Sequence, residues 1–355
     1  MQIWHVIDSL EVGGAETVVA TLCREQQAAG HAPSVHCLLR AGKIAKDLME
    51  DGIPVHVYGP APLMDIARRM FGLMRSQRPD VLHCHNETPT IFCAPAARLA
   101  GVRSVITTYH GMVVPLNAPR LKFWMATRFC NKVVAVSRTT QANLERSPIS
   151  CPGRIVTLYN SAAPAGSTGF FPVCGPDEFP IVNVARHVPA KDILTLLRAF
   201  AIARQKAPDL VLLLAGSGVL TDSLKQSTTE LGLDASVRFL GEQSDVGGIL
   251  RQSKLFVLSS INEGLPISLL EAMSAGLPQV VTAVGGMAEI MELSQSGIAA
   301  PPQDPPALAA AILRFRDDEP WRLECGRRAR ECYESRFTPA RMAADYFSLY
   351  TADRR

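Results

Sequence analysis

One stretch, Leu255 to Val281, LFVLSSINEGLPISLLEAMSAGLPQVV, restricts the fold more than any other. Leu255 to Leu258 is a short apolar run that reads as a buried strand, and Ser259 to Asn262 reads as the turn leaving its carboxyl end. A helix is expected next. Gly264 and Pro266 bracket its first turn, where a residue without an amide proton is tolerated, and Gly276 with Pro278 ends it. Glu263 then falls in the strand-to-helix loop and Glu271 about two turns into the helix, on roughly the same side at 3.6 residues per turn. Two carboxylates would face one cleft. In an open α/β sheet, ligands sit outside the carboxyl ends of the strands, and carboxylates there suit hydroxyl-rich groups, because each accepts two hydrogen bonds from a vicinal diol. The competing reading leaves Glu263 as a loop carboxylate in water and Glu271 as an exposed helix residue.

With E-G-L-P-(x4)-E followed by G-x-P, the stretch resembles the E-x7-E motif of the GT4 family of retaining glycosyltransferases. The resemblance implies an α/β protein of the GT-B fold, two Rossmann-like doubly wound domains facing each other across a cleft. It also implies that Glu263, with Gly264 and Leu265 beside it, meets the donor sugar and that Glu271 binds the nucleotide ribose.

The 355 residues exceed one ordinary core and suit two domains. Hydrophobic residues at 47% and charged ones at 19% fit a globular chain with much buried sheet. No apolar run reaches the roughly 18 to 20 residues that span a bilayer, and MQIWHVID reads as a strand rather than a leader. Nine cysteines without paired C-x-x-C spacing point to a reducing, cytoplasmic setting. The net charge is only +3, but between Ala61 and Lys132 ten basic residues stand against three acidic ones. Such a segment suits an anionic membrane surface or a polyphosphate. Nucleic acid is disfavoured, since neither aromatic interleaving nor zinc-finger spacing accompanies the charge.

The first domain is expected over residues 1–165 as repeated strand and helix. Between the strand Ile3 to Ile7 and the helix Ala15 to Gln27 lies LEVGGAE, whose Gly13 and Gly14 let the backbone approach a phosphate or sugar. This is not the G-x-G-x-x-G fingerprint, and no acidic residue ends the next strand, which counts against a nicotinamide enzyme. It matches the GGAE loop of GT4 enzymes. Glu16 is either an acceptor-side group or a first-turn carboxylate favoured by the helix dipole. The strand Val81 to Cys84 leads into His85 and Asn86. A metal reading of His83-Cys84-His85 is open, since alternate strand residues share a face, but no second ligand cluster follows at metal spacing. In GT4 enzymes the analogous H-x-H-N stretch lines the cleft, which makes His85 and Asn86 acceptor-side candidates.

After the strand Val105 to Thr108 comes Tyr109-His110-Gly111, where His110 can hydrogen-bond a sugar hydroxyl or stand beside an oxocarbenium-like centre. The resemblance favours His110 as a donor-sugar contact; the alternative is a loop histidine in water. Asn117 to Lys132 places Leu121, Trp124, Met125 and Phe129 at helical spacing among cations, so that helix either packs on the sheet or rests on lipid. Ser137 is expected to cap the helix Arg138 to Leu144.

A linker composition between Asn160 and Pro180 precedes a second domain, 166–337, with the final helix, about 338–355, packing back on the first. In VARHVPAKD, Arg186 and Lys191 can clamp a diphosphate, the first by its fork and the second as a point charge. The segment resembles the family's V-G-R-L-x-x-x-K-G, with Ala185 and Asp192 replacing two glycines. The resemblance adds Gly216 after the strand Leu210 to Ala215 and Gly241 after Val237 to Leu240 to the nucleotide-sugar set, the family analogue of the latter loop presenting backbone groups to the nucleobase. Val284-Gly285-Gly286-Met287 opens a helix whose amides would reach donor phosphates.

No D-x-D is present to hold a cation on a diphosphate, so protein donors must take the charge of the leaving nucleotide and no metal or other cofactor is expected. The implied activity is retaining transfer from a nucleotide-diphosphate sugar to an acceptor hydroxyl, with a polyprenyl-linked saccharide at the inner membrane face as acceptor. The competing classes are a nucleotide-sugar epimerase or hydrolase of the same fold and a sugar-binding protein without catalysis.

Overall fold

The computed structural model describes residues 1–111, 118–146, 151–166, 174–243 and 245–352, with the backbone alone for 118–120. Asn117, the side chain of Arg120 and residues 167–173 of the expected linker lie outside the described residues. The chain divides into two compact units, Met1–Ser161 with Pro339–Arg355, and Ala162–Thr338.

In the first unit the strands are β1 (Gln2–Leu10), β2 (Ala32–Ala41), β3 (Val55–Val57), β4 (Val81–His85), β5 (Ser104–Tyr109), β6 (Lys132–Ala135) and β7 (Ile155–Thr157). The helices between them are α1 (Gly14–Ala28), α2 (Lys43–Glu50), α3 (Leu63–Gln77), α4 (Glu87–Ala100), α5 (Ala118–Thr127) and α6 (Arg138–Glu145). Among the described residues they form one parallel sheet in the order β3-β2-β1-β4-β5-β6-β7. The order reverses between β1 and β4, the switch point of a doubly wound sheet. Ser137 caps α6 as expected, accepting the Thr140 amide at 3.0 Å.

The second unit contains β8 (Phe179–Val184), β9 (Leu210–Ala215), β10 (Val237–Gly241), β11 (Leu255–Leu258), β12 (Gln279–Thr282) and β13 (Gly297–Ala300). Its helices are α7 (Ile193–Lys206), α8 (Thr221–Glu230), α9 (Val246–Gln252), α10 (Ile267–Ser274), α11 (Gly286–Ser294), α12 (Pro305–Asp317) and α13 (Glu319–Arg336). Its parallel sheet runs β10-β9-β8-β11-β12-β13, with the switch between β8 and β11. β9 and β11, LVLLLA and LFVL, are buried throughout, because helices cover both faces of a parallel sheet. α14 (Pro339–Thr351) returns to the first unit, where Tyr346 and Tyr350 are almost wholly buried.

Two expectations need correction. Pro266 is the residue before α10 rather than part of its first turn, so Glu271 stands one turn into the helix, with Glu263 four residues ahead of its start. A proline-fixed φ serves as well just outside a helix as at its first position, and the sequence alone does not separate the two. The stripe Leu121, Trp124, Met125 and Phe129 is split: Phe123 and Trp124 enter the core with Ala126, whereas Leu121, Met125 and Phe129 are exposed. The helix ends at Thr127, which leaves Phe129 outside its period.

No helix among the described residues is long and apolar enough to cross a membrane. All nine cysteines are free, and six of them are buried.

Candidate active site

At the switch point of the second unit the loop after β11 meets the loop after β8. The Lys191 ammonium makes an ion pair with Glu263 Oε1, both side chains being largely buried. Ser260 donates to the same carboxylate oxygen at 2.8 Å. The two loops are sewn together below the pair: Ser259 Oγ donates to the carbonyls of Lys191 at 3.0 Å and Asp192 at 2.9 Å, and the Ile261 amide donates to Ala190 O at 2.9 Å. Asp192 stands in the left-handed region at φ 44°, where the sequence comparison led one to expect glycine, and caps α7 through the Thr195 amide. Arg186 leaves the end of β8 as an exposed side chain. Beside it His187 is buried, with Nδ1 on Thr221 Oγ1 at 2.9 Å and Nε2 unpartnered, and burial lowers its pKa.

The glycines explain how the loops lie so close. A Cβ on Gly285, which has φ +54°, would stand 1.9 Å from the Glu263 carbonyl oxygen, and the Gly286 amide donates to Gly264 O at 2.7 Å. The loop bearing the carboxylate is thus braced by the start of α11. A Cβ on Gly216 would stand 2.0 Å from the Ala185 carbonyl oxygen, while its amide donates to Gly241 O at 2.8 Å. Leu265 packs inward.

Glu271 sits apart from this pair. It lines a cavity of about 300 Å³ with residues 163–166 and with Asp245, Val246, Gly247 and Leu250 of the α9 start; Glu263 is not among the lining residues. Burial raises the Glu271 carboxyl to about 7. The structure therefore brings together Lys191 and Glu263, corrects the expectation of two carboxylates facing one cleft by setting Glu271 in a separate recess, since it lies on α10 rather than in the loop before it, and leaves Arg186 exposed after β8.

In the first unit Gly13 precedes α1 and Gly14 opens it, and the Glu16 carboxylate folds back over Gly13 and accepts from Ser9 Oγ at 3.3 Å. Asn86, at φ 69°, accepts the His110 amide on its side-chain oxygen at 3.0 Å, so its role includes holding the His110 loop. His85 corrects the expectation of an acceptor contact. It is wholly buried, and both ring nitrogens are engaged inside the unit, with His5 Nδ1 at 3.0 Å and His110 Nε2 at 3.0 Å. His110 keeps one free atom: its Nδ1 is buried and unpartnered. His5, His83 and His85 stand close enough to share a metal ion. Their six ring nitrogens are nevertheless already hydrogen-bonded, to one another, to His110, and to Gln26, Thr108 and Tyr350, which leaves no lone pair aimed at a common centre.

The sequence reading missed Asp8, His187, Ser260, His5 and Gln26. Asp8, near the end of β1, has one unpartnered buried oxygen, and burial raises its carboxyl to about 6. An acidic residue closing the first strand was the visible signal for it.

Two family descriptions cover most of the chain: "Glycosyltransferase Family 4" matches residues 12–165 and "Glycosyl transferases group 1" matches residues 174–332. The chain belongs to the GT4-type glycosyltransferases. This glycosyltransferase is 26% identical to the N-acetyl-alpha-D-glucosaminyl L-malate synthase of Bacillus anthracis, over 96% of this chain and 94% of that one. It is 27% identical to the UDP-Gal:alpha-D-GlcNAc-diphosphoundecaprenol alpha-1,3-galactosyltransferase of Escherichia coli over 70% of each. Among solved structures, Anabaena HepE in complex with UDP superposes with a TM-score of 0.87 at 20% identity, over 99% of this chain and all of that one. The fold of this glycosyltransferase is GT-B.

Proposed function

We propose that this glycosyltransferase is a metal-independent, retaining enzyme that moves a sugar from a nucleotide-diphosphate sugar to a hydroxyl of a polyprenyl-diphosphate-linked saccharide in surface polysaccharide synthesis. The observation that carries the reading is the Lys191–Glu263 pair at the β8–β11 switch point, with Glu271 in a separate recess of the same unit. A nucleotide sugar is extended, its ribose separated from its sugar by the diphosphate, so two carboxylates set apart rather than in one recess suit its two diol ends. Glu271 takes the ribose and Glu263 the sugar. Arg186 and Lys191 lie against the diphosphate, with Gly216, Gly241 and Gly264 keeping the loops low enough for its approach. An ammonium has three donors, so Lys191 can hold Glu263 and a phosphate oxygen together.

In the transfer, the bond from the anomeric carbon to the phosphate oxygen breaks and the bond to the acceptor oxygen forms on the same face. The acceptor's proton goes to the departing diphosphate, whose charge Arg186 and Lys191 stabilise. On the first unit, His110, Gly13 and Gly14 are read as sugar-binding groups, and Glu16 and Asn86 as acceptor-binding groups. The names of the relatives support a transferase over an epimerase, hydrolase or binding protein, and the E. coli relative supports a polyprenyl acceptor.

Membrane contact belongs to the same reading. Leu121 and Met125 lie one turn apart on the outer face of α5, with exposed Phe129 after it and Leu99 exposed on α4. Arg98 donates to Phe129 O at 2.7 Å and Arg154 to Arg128 O at 2.9 Å, so two cations stand beside exposed Phe129, a charge suited to anionic headgroups at the inner face of the cytoplasmic membrane.

The test incubates the protein with UDP- and GDP-sugars, with and without a polyprenyl-diphosphate saccharide, and reads nucleotide release and the anomeric configuration of the product. Acceptor-dependent release with retention is expected. Inversion, or release that ignores every acceptor, would remove the proposal.

A further inference from the structure

We propose that Gln26, His5 and His85 are positioning residues that lock His110 in the tautomer protonated on Nε2 and leave its Nδ1 as a bare hydrogen-bond acceptor. The inference rests on the reading of His110 as a contact for a sugar hydroxyl and says how that contact is set.

The four groups form one line across the switch point of the first unit. β1 pairs with β4 and β4 with β5, which sets His5, His85 and the residue after β5 side by side. Gln26 Oε1 is 2.9 Å from His5 Nε2; His5 Nδ1 is 3.0 Å from His85 Nε2; His85 Nδ1 is 3.0 Å from His110 Nε2. Each ring is neutral, because burial lowers His5 and His110 to about 4 and holds His85 well below its ordinary value. A neutral imidazole has one N–H and one lone pair, so the direction of the first bond dictates all the others.

The Gln26 carbonyl oxygen can only accept. His5 therefore donates from Nε2 and accepts on Nδ1, His85 donates from Nε2 and accepts on Nδ1, and His110 donates from Nε2. The far end agrees independently. His110 Nδ1 is buried without a partner, and a buried N–H left unpaired is rarer and costlier than an unfilled acceptor. A bare nitrogen there waits for a hydroxyl.

The other end of the amide faces the C-terminal helix, whose tyrosine hydroxyls can donate or accept, so the direction of both lines is set by the unpartnered His110 Nδ1. Gln26 Nε2 donates to Tyr350 OH at 3.4 Å, and that hydroxyl lies 2.8 Å from His83 Nδ1. His83 Nε2 is 2.7 Å from Thr108 Oγ1, which is 2.9 Å from Tyr346 OH. Rotating the Gln26 amide would reverse every bond in both lines and place a proton on His110 Nδ1, where a sugar oxygen could be held only as an acceptor.

The experiment uses isotope-labelled histidine and long-range proton–nitrogen correlation spectra of the full, ligand-free chain. The expected result is Nε2 protonation at His5, His85 and His110. Gln26→Glu, which still offers an acceptor, keeps the His110 tautomer. Gln26→Leu populates both tautomers, and turnover falls in the same proportion, roughly by half for equal populations. Protonation of His110 on Nδ1 in the wild type overturns the proposal, as does a folded Gln26→Leu protein with an unchanged tautomer. If Gln26→Leu fails to fold, the wild-type spectrum decides alone. A saturating nucleotide sugar that leaves the His110 Nδ1 resonance unmoved, with Nε2 protonation as expected, keeps the relay and removes instead the sugar contact it was taken to serve.

Discussion

Replacing Glu271 by glutamine separates stability from binding. In the folded chain the carboxyl is raised from 4.5 to about 7 by burial. At about 1.4 kcal/mol per pKa unit, holding the carboxylate in the fold near pH 8 costs on the order of 3 kcal/mol, which residual solvent at the mouth of the recess trims to about 2 kcal/mol. The sign follows from the raised value. Below about pH 4.5 the group is neutral folded and unfolded, and its protonated form contributes in full; that contribution is lost as pH rises through 7. Glutamine cannot ionise. Glu271→Gln should therefore match the wild type near pH 4.5 and exceed it by about 2 kcal/mol near pH 8, roughly 4–8 °C in melting temperature for a domain of this size.

The same change should weaken a nucleoside diphosphate, because one amide oxygen replaces a charged pair of acceptors facing the ribose diol. A loss of about 1.5–3 kcal/mol is expected, roughly ten- to a hundredfold in Kd. Melting curves across pH, with and without UDP, read both effects. A stability gap that stays flat with pH would refute the burial argument, and an unchanged UDP affinity would refute the ribose assignment.

Lys191→Ala should reduce turnover at least a hundredfold and destabilise the second unit by a few kcal/mol, because it leaves the Glu263 carboxylate unpaired; adding Glu263→Gln should recover melting temperature but not activity, as read by calorimetry beside nucleotide release. Gly285→Ala forces a methyl against the Glu263 carbonyl at a positive φ and should cost about 2 kcal/mol or more, with a larger loss in kcat than in melting temperature; wild-type kinetics would contradict the bracing role. The pair Leu121→Glu and Met125→Glu should abolish sedimentation with anionic vesicles while leaving melting within about 1 kcal/mol, since both side chains are exposed; unchanged sedimentation would remove the membrane surface.

Much of this was legible because parallel strands announce themselves. LVLLLA and LFVL are too short and too apolar to be anything but interior strands, and the carboxyl end of each fixes where polar residues matter. Lys191 and Glu263 are visible on that rule although 72 positions separate them. α5 was harder. Its apolar residues fit two helical faces, and the one chosen by the sheet, through Phe123 and Trp124, is fixed by tertiary packing that spacing does not encode. The histidine line was illegible for a related reason. His5, Gln26, His85 and Tyr350 come from β1, α1, β4 and α14, and nothing local marks them as neighbours.

A crystal structure of the chain with a bound nucleoside diphosphate tests the central claim most directly. The account predicts a diphosphate within hydrogen-bond reach of Arg186 and Lys191 and a ribose whose hydroxyls face Glu271, beyond the ends of β8 and β11. A nucleotide seated anywhere else, with the Lys191–Glu263 pair undisturbed, would contradict it.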